Sequence, residues 1–196
     1  MAAMQKGQCK PLNVTQKAKH RIVVGLGWDP AEEKGLIGKV QAIAQGKETH
    51  HDLDLSCHIF NINKELIETI SAEPDRLIDA SEHIYHSGDN EEGIGEGDDE
   101  EISVELKNLP ETIHHILFTA QIKSGHGFHE INNPEIRLAD AYTNHNLLVQ
   151  LLDEPENEKN NFFIFCRLTR EKDGWNLCNI STFSALKKDE PLDIYL

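Results

Sequence analysis

The sequence predicts an all-β chain folded as a sandwich of two antiparallel sheets. Short apolar runs with period-two alternation recur along the chain, and glycine, proline, asparagine and aspartate punctuate them. No long amphipathic helix interrupts the series. At 196 residues with 38% hydrophobic side chains, a single core is the simplest arrangement.

Residues 1–19 are polar and basic without clear periodicity and read as a flexible leader. The run from Arg21 to Trp28, RIVVGLGW, is β-branched and glycine-interrupted, and Asp29-Pro30 stops it as a turn would. From Leu53 to Asn61, the residues Leu53, Leu55, Cys57 and Ile59 alternate with Asp54, Ser56 and His58, the pattern of a half-buried strand. A short helix is expected over Lys64 to Ile70. Further strands are expected at Glu82–His86, Glu101–Lys107, Ile113–Lys123, Pro134–Asp140, Asn146–Leu152, Asn161–Thr169 and Gly174–Ile180, about nine in all. The sandwich domain thus spans residues 20–181. In the tail, residues 182–196, Ala185-Leu186-Lys187-Lys188 suggests a helical turn and Pro191 an extended end.

Charge narrows the function. The chain has 34 Asp and Glu against 19 Lys and Arg, a net charge of −15 that repels a phosphate backbone and argues against nucleic acid as a partner. The excess is local. Between Leu77 and Leu106 there are 11 acids and no Lys or Arg, and eight of the acids lie between Asp89 and Glu101. No apolar stretch is long enough to span a membrane. The cysteines Cys9, Cys57, Cys166 and Cys178 lack zinc-type spacing and no apolar leader opens the chain, so reduced thiols and a cytoplasmic location are expected.

The segment Gly88 to Glu100, GDNEEGIGEGDDE, alternates glycines with acids and ends in three carboxylates. Glycine at this density lets the backbone turn tightly and bring several oxygens around one point, the arrangement calcium needs. Asp89 and Glu100 hold the first and twelfth places of an EF-hand loop, but Ile94 stands where that loop needs glycine and the flanks read as strands. Calcium must be held in another way. A single loop seldom supplies every ligand, and Asp29, Asp52 and Asp54 stand at strand ends from which they could converge on it.

Three blocks in order, Gly25-Leu26-Gly27-Trp28-Asp29-Pro30, Asp52-Leu53-Asp54-Leu55-Ser56 and the Gly88 to Glu100 loop, make the sequence resemble the TerD family of tellurium-resistance and stress proteins. The loop fits the pattern G-D-N-x-x-G-x-G-x-G-D-D-E without a gap. Weaker similarity through Ile136-Arg137-Leu138-Ala139-Asp140 and Gly174-Trp175 extends the resemblance over roughly residues 20–181. It implies calcium-binding loops at one end of the sandwich, with Asp29, Asp52, Asp54, Asp89, Asn90, Asp98, Asp99 and Glu100 as the metal positions. It also implies a role in resistance to tellurite or other stress, with other proteins of a stress-response complex as partners and a membrane surface as one setting. This chain departs from the pattern at Glu92, where Thr is usual, and in the longer connection from Ser71 to Asp79.

No catalytic or organic-cofactor residues are expected. No Ser-His or Cys-His arrangement stands out, and the paired histidines His50-His51, His114-His115 and His126 with His129 are not spaced as a metal site. The acids leave two alternatives open, a metal-dependent hydrolase and a calcium-dependent lectin-like or adhesion module.

Overall fold

In the computed structural model, described for residues 4–17, 19–31, 44, 50–94, 97–155, 160–185 and 191–196, eleven strands form two antiparallel sheets. They are β1 (Cys9–Pro11), β2 (Arg21–Asp29), β3 (Leu53–Phe60), β4 (Leu66–Ile70), β5 (Ile84–His86), β6 (Glu100–Glu105), β7 (His115–Ile122), β8 (Asn132–Asp140), β9 (His145–Leu151), β10 (Phe162–Glu171) and β11 (Gly174–Ser184). The six-stranded sheet runs β1-β11-β10-β7-β3-β4 and the five-stranded sheet β5-β6-β2-β8-β9.

The alternation read from the sequence selects the buried faces. Ile22, Val24, Leu26 and Trp28 of β2 point inward against Leu53, Leu55, Cys57 and Ile59 of β3, all nearly or completely buried. Phe118, Phe163 and Phe165 add fully buried aromatic area. Each such side chain contributes about 1.5–3 kcal/mol by leaving water. A satellite cluster of Phe60, Leu117 and Ile164 lies under Leu192, Tyr195 and Leu196, so the chain's last residues cover part of the six-stranded sheet's outer face. No helix among the described residues is long and apolar enough to cross a membrane.

Several expectations are corrected. Residues 66–70 are strand β4 rather than a helix, because the preceding residues build a hairpin: Asn61 Oδ1 accepts the N–H groups of Asn63 and Glu65, and Lys64 takes φ +64°. Ile70 then points into the core and β4 pairs with β3. Residues 9–11 of the expected leader form β1, which pairs with the edge of β11; Pro11, which lacks an N–H, is tolerated on an edge strand. Beyond β1, the Thr15 N–H donates to Asp140 and Leu12 and Val14 pack on the core. The expectation of reduced thiols fails for two cysteines, since Cys9 and Cys178 face each other across β1 and β11 and are joined in a disulfide, while Cys57 and Cys166 are free and buried.

β11 runs to Ser184, past the end expected for it, and Leu192–Tyr195 is a 3-10 turn rather than an extended end. The helical turn expected at 185–188 falls almost entirely outside the described residues.

Candidate metal centre

Strand pairing brings the acidic segments to one end of the sandwich. Leu26 of β2 pairs with Glu100 of β6, so the loop before β6 lies beside the end of β2. Leu53 of β3 pairs with Ile122 of β7, which sets Asp52 beside Lys123. The Lys123 N–H donates to the Asp52 carbonyl at 2.9 Å and the Asp52 N–H to Ser124 Oγ at 3.2 Å. Trp28 ties these segments together, its indole N–H donating to the His51 carbonyl at 3.0 Å. Gly93, at φ +64°, lies against that indole, and a Cβ there would come within 2.4 Å of Trp28 Nε1. Glycine is required at this point both by the backbone angle and by the close approach.

Of the eight positions implied by the sequence, three converge. Carboxylate oxygens of Asp52, Asp54 and Asp89 lie within 4.8 Å of one another, the one group of this kind among the described residues. Asp89 is exposed and the other two half-buried. Lys123 Nζ stands 2.8 Å from Asp54 Oδ2 and supplies a counter-charge.

The other five are engaged elsewhere. Asp29 accepts a hydrogen bond from Asn133 at 2.6 Å. Asn90 Oδ1 accepts the N–H groups of Glu92 and Gly93 and so folds the glycine loop, while its Nδ2 donates to Asp99 Oδ1. Asp98 lies over Gly25 on the outer face of β2, gripped by Arg137 Nε and Nη2 at 2.6–2.9 Å. Asp99 Oδ2 accepts the Trp28 N–H at 2.9 Å, where the β2–β8 ladder is irregular. Burial, aided by the charges of Asp98 and Asp29, raises the Asp99 carboxyl above its ordinary value despite that hydrogen bond.

Glu100 is fully buried and links the two sheets: its Oε2 accepts the Leu55 N–H at 2.7 Å and lies 3.4 Å from His86 Nε2. His86 Nδ1 accepts from the Gly88 N–H, leaving Nε2 to carry the proton toward the Leu55 carbonyl at 3.1 Å. Glu100 and His86 thus take the place of a neighbouring strand beside Leu55, beyond the reach of β4. Burial raises the Glu100 carboxyl, and the contacts to His86 and Leu55 oppose the rise.

Sequence reasoning missed Lys123, Arg137 and His86. Lys123 and Arg137 each follow an inward-facing isoleucine in a strand-like run, which marks them as outward-facing. Which acid each meets depends on pairing between strands far apart in the sequence.

The donor set suits a hard cation. Three carboxylates, two at the start of β3 and one in the loop before β6, without sulfur or imidazole, match calcium or magnesium rather than zinc. One divalent ion would neutralise charge that Lys123 only partly balances.

The TerD domain matches residues 1–183. The chain is 34% identical to tellurium resistance protein TerZ of Serratia marcescens, over 71% of this chain and 69% of that relative. It is 30% identical to tellurium resistance protein TerX of the same organism, over 89% of each. General stress protein 16U of Bacillus subtilis (strain 168) is 30% identical, over 74% of this chain and 72% of the relative. Among solved structures, a homologue of telluride resistance protein (TerD) from Streptomyces coelicolor A3(2) superposes with a TM-score of 0.63 at 18% identity, covering 87% of this chain and 94% of the other, which shows a shared fold.

Proposed function

From the premise that the chain belongs to the TerD domain family, we propose that it is a calcium-binding protein of tellurite and general stress resistance, acting by binding rather than by catalysis. The observation that carries this reading is the convergence of Asp52, Asp54 and Asp89 beside a loop that Asn90 and Gly93 hold folded. These three side chains would hold the ion, with loop carbonyls and water completing its shell. The ion supplies charge neutralisation. Asp52 and Asp54 belong to the six-stranded sheet and Asp89 to the loop entering the five-stranded one, so gathering them ties the sheets together at this end and orders a surface for a protein partner. The tellurium-resistance and stress relatives support this setting.

The test is calorimetric titration of the chelator-stripped protein with calcium and then magnesium, with melts in each state. At a hundredfold excess over Kd, binding stabilises the fold by about 2.7 kcal/mol, a rise of roughly 5–10 °C in Tm for a chain of this size. Asp89→Asn, at an exposed position, is expected to weaken calcium at least tenfold without lowering the melt of the stripped protein. Asp98→Asn should leave calcium affinity nearly unchanged, because Asp98 is committed to Arg137. Undiminished affinity in Asp89→Asn would sink the assignment, and a preference for magnesium would move the metal-dependent hydrolase to the front.

A further inference from the structure

We propose that the groove on the outer face of the six-stranded sheet binds a soluble phosphate monoester with an apolar end, and that it does so when a divalent cation occupies the Asp52, Asp54 and Asp89 centre; the inference rests on that cation reading. The groove encloses about 1010 Å³, the size of a small-molecule site. Its middle is polar, lined by outward-facing side chains of β3, β4 and β7. There His58 is fixed between Thr69 and Thr119, its two ring nitrogens 3.2 and 3.0 Å from their hydroxyls.

The two ends of the groove differ. One is lined by Phe60 and Leu66, paired across β3 and β4, with Lys64 beside them, while the apolar ring of Phe162 stands in the row of Gln121 and Asp54. The other carries Lys123 and Arg76 beside Asp54. Asp54 is therefore shared: one carboxylate belongs both to the acidic trio and to the groove wall. Without an ion, Lys123 spends its charge on Asp54 at 2.8 Å. A divalent cation at the trio neutralises Asp54 and repels the ammonium, which turns Lys123 toward an anion in the groove. Among the described residues the Arg76 guanidinium is paired with Glu73, at 3.3 Å with both side chains more than half exposed. Such a pair contributes little and exchanges readily for a phosphate, which suits the guanidinium fork. The chain's net charge of −15 disfavours a polyanion but leaves this local arrangement open to a compact one.

The experiment titrates the full chain with 1-naphthyl phosphate, by its fluorescence, in saturating calcium and in chelator, with 1-naphthol and inorganic phosphate as the two half-ligands. Calcium is expected to tighten naphthyl phosphate about tenfold, and each half-ligand to bind more weakly than the whole. Lys123→Gln should weaken naphthyl phosphate about tenfold, the loss of one charge-assisted contact, while tightening calcium, whose competitor at Asp54 is gone. A merely damaged fold would weaken both. Calcium binding without naphthyl phosphate binding overturns the groove and leaves the cation centre standing, as does a Lys123→Gln variant that binds naphthyl phosphate like the wild type. Naphthol binding as tightly as its phosphate ester overturns the assignment of the charged end. Absence of calcium binding is read separately in the calcium titration and removes both proposals.

Discussion

Glu100→Ala tests whether the buried carboxylate is a metal ligand or a tie between the sheets. In the structure Glu100 accepts the Leu55 N–H at 2.7 Å and, more weakly, the Asn90 N–H at 3.3 Å, with no solvent exposure. Truncation leaves the Leu55 donor buried without its acceptor, a loss of about 1–3 kcal/mol. The emptied volume adds a cavity cost of similar size, while relief from burying a carboxylate offsets part of it. The net expectation is about 2–4 kcal/mol, or roughly 5–15 °C in Tm at this chain length. The assay is a thermal melt by circular dichroism in chelator, where no ion contributes, followed by the same melt in calcium. A cross-sheet tie predicts a fall in chelator and a rise on adding calcium close to that of the wild type. Glu100→Gln, which preserves shape and one acceptor, should lose less than half as much. A chelator melt equal to the wild type's together with a vanished calcium response would refute the reasoning and return Glu100 to the ion.

The Cys9–Cys178 disulfide closes a separation of 169 residues, so its reduction, or Cys9→Ser, should cost about 2–5 kcal/mol and loosen β1 first; unchanged hydrogen exchange at residues 9–11 would contradict this. Gly25→Ala places a Cβ about 2.0 Å from the Asp98 carboxylate and should destabilise by about 1–3 kcal/mol while displacing the Arg137 contact; a wild-type melt would show that the loop shifts freely. Acid denaturation should show two ranges. Burial lowers His58 from 6.5 to about 4, so the stability carried by its uncharged form is present above pH 6.5 and lost as pH falls toward 4. Burial alone would raise Glu105, but hydrogen bonds from Lys19 and Tyr85 outweigh it and hold the carboxyl at about 2, so its contribution is present above pH 4.5 and lost between 4.5 and 2. Glu105→Gln should shrink the second range, which Asp140 shares because, against the rise from burial, hydrogen bonds from Thr15, Tyr142 and Thr143 hold it at about 2, and leave the first, as followed by the pH dependence of the denaturant midpoint.

The sequence alone determined the sheet class, the inward faces of β2 and β3, and the loop that collects acids, because period-two alternation and glycine-acid spacing are local properties of the chain. It determined neither β1 nor β4. A three-residue edge strand has too little pattern to detect, and the apolar run from Leu66 is a strand only because Asn61 and Lys64 turn the chain back on β3. Nor did it determine how the acids divide their tasks. Asp98, Asp99 and Glu100 are consecutive, yet Asp98 meets Arg137 on the outer face, Asp99 holds the Trp28 N–H and Glu100 enters the gap beside Leu55. Asp98 and Asp99 precede β6, so strand alternation does not set their directions, and Glu100, at the strand's first position, faces inward with Ile102 and Val104. What each then meets lies between 39 and 71 residues away in the chain, a separation that only the pairing of β2, β3, β6 and β8 brings within hydrogen-bond reach.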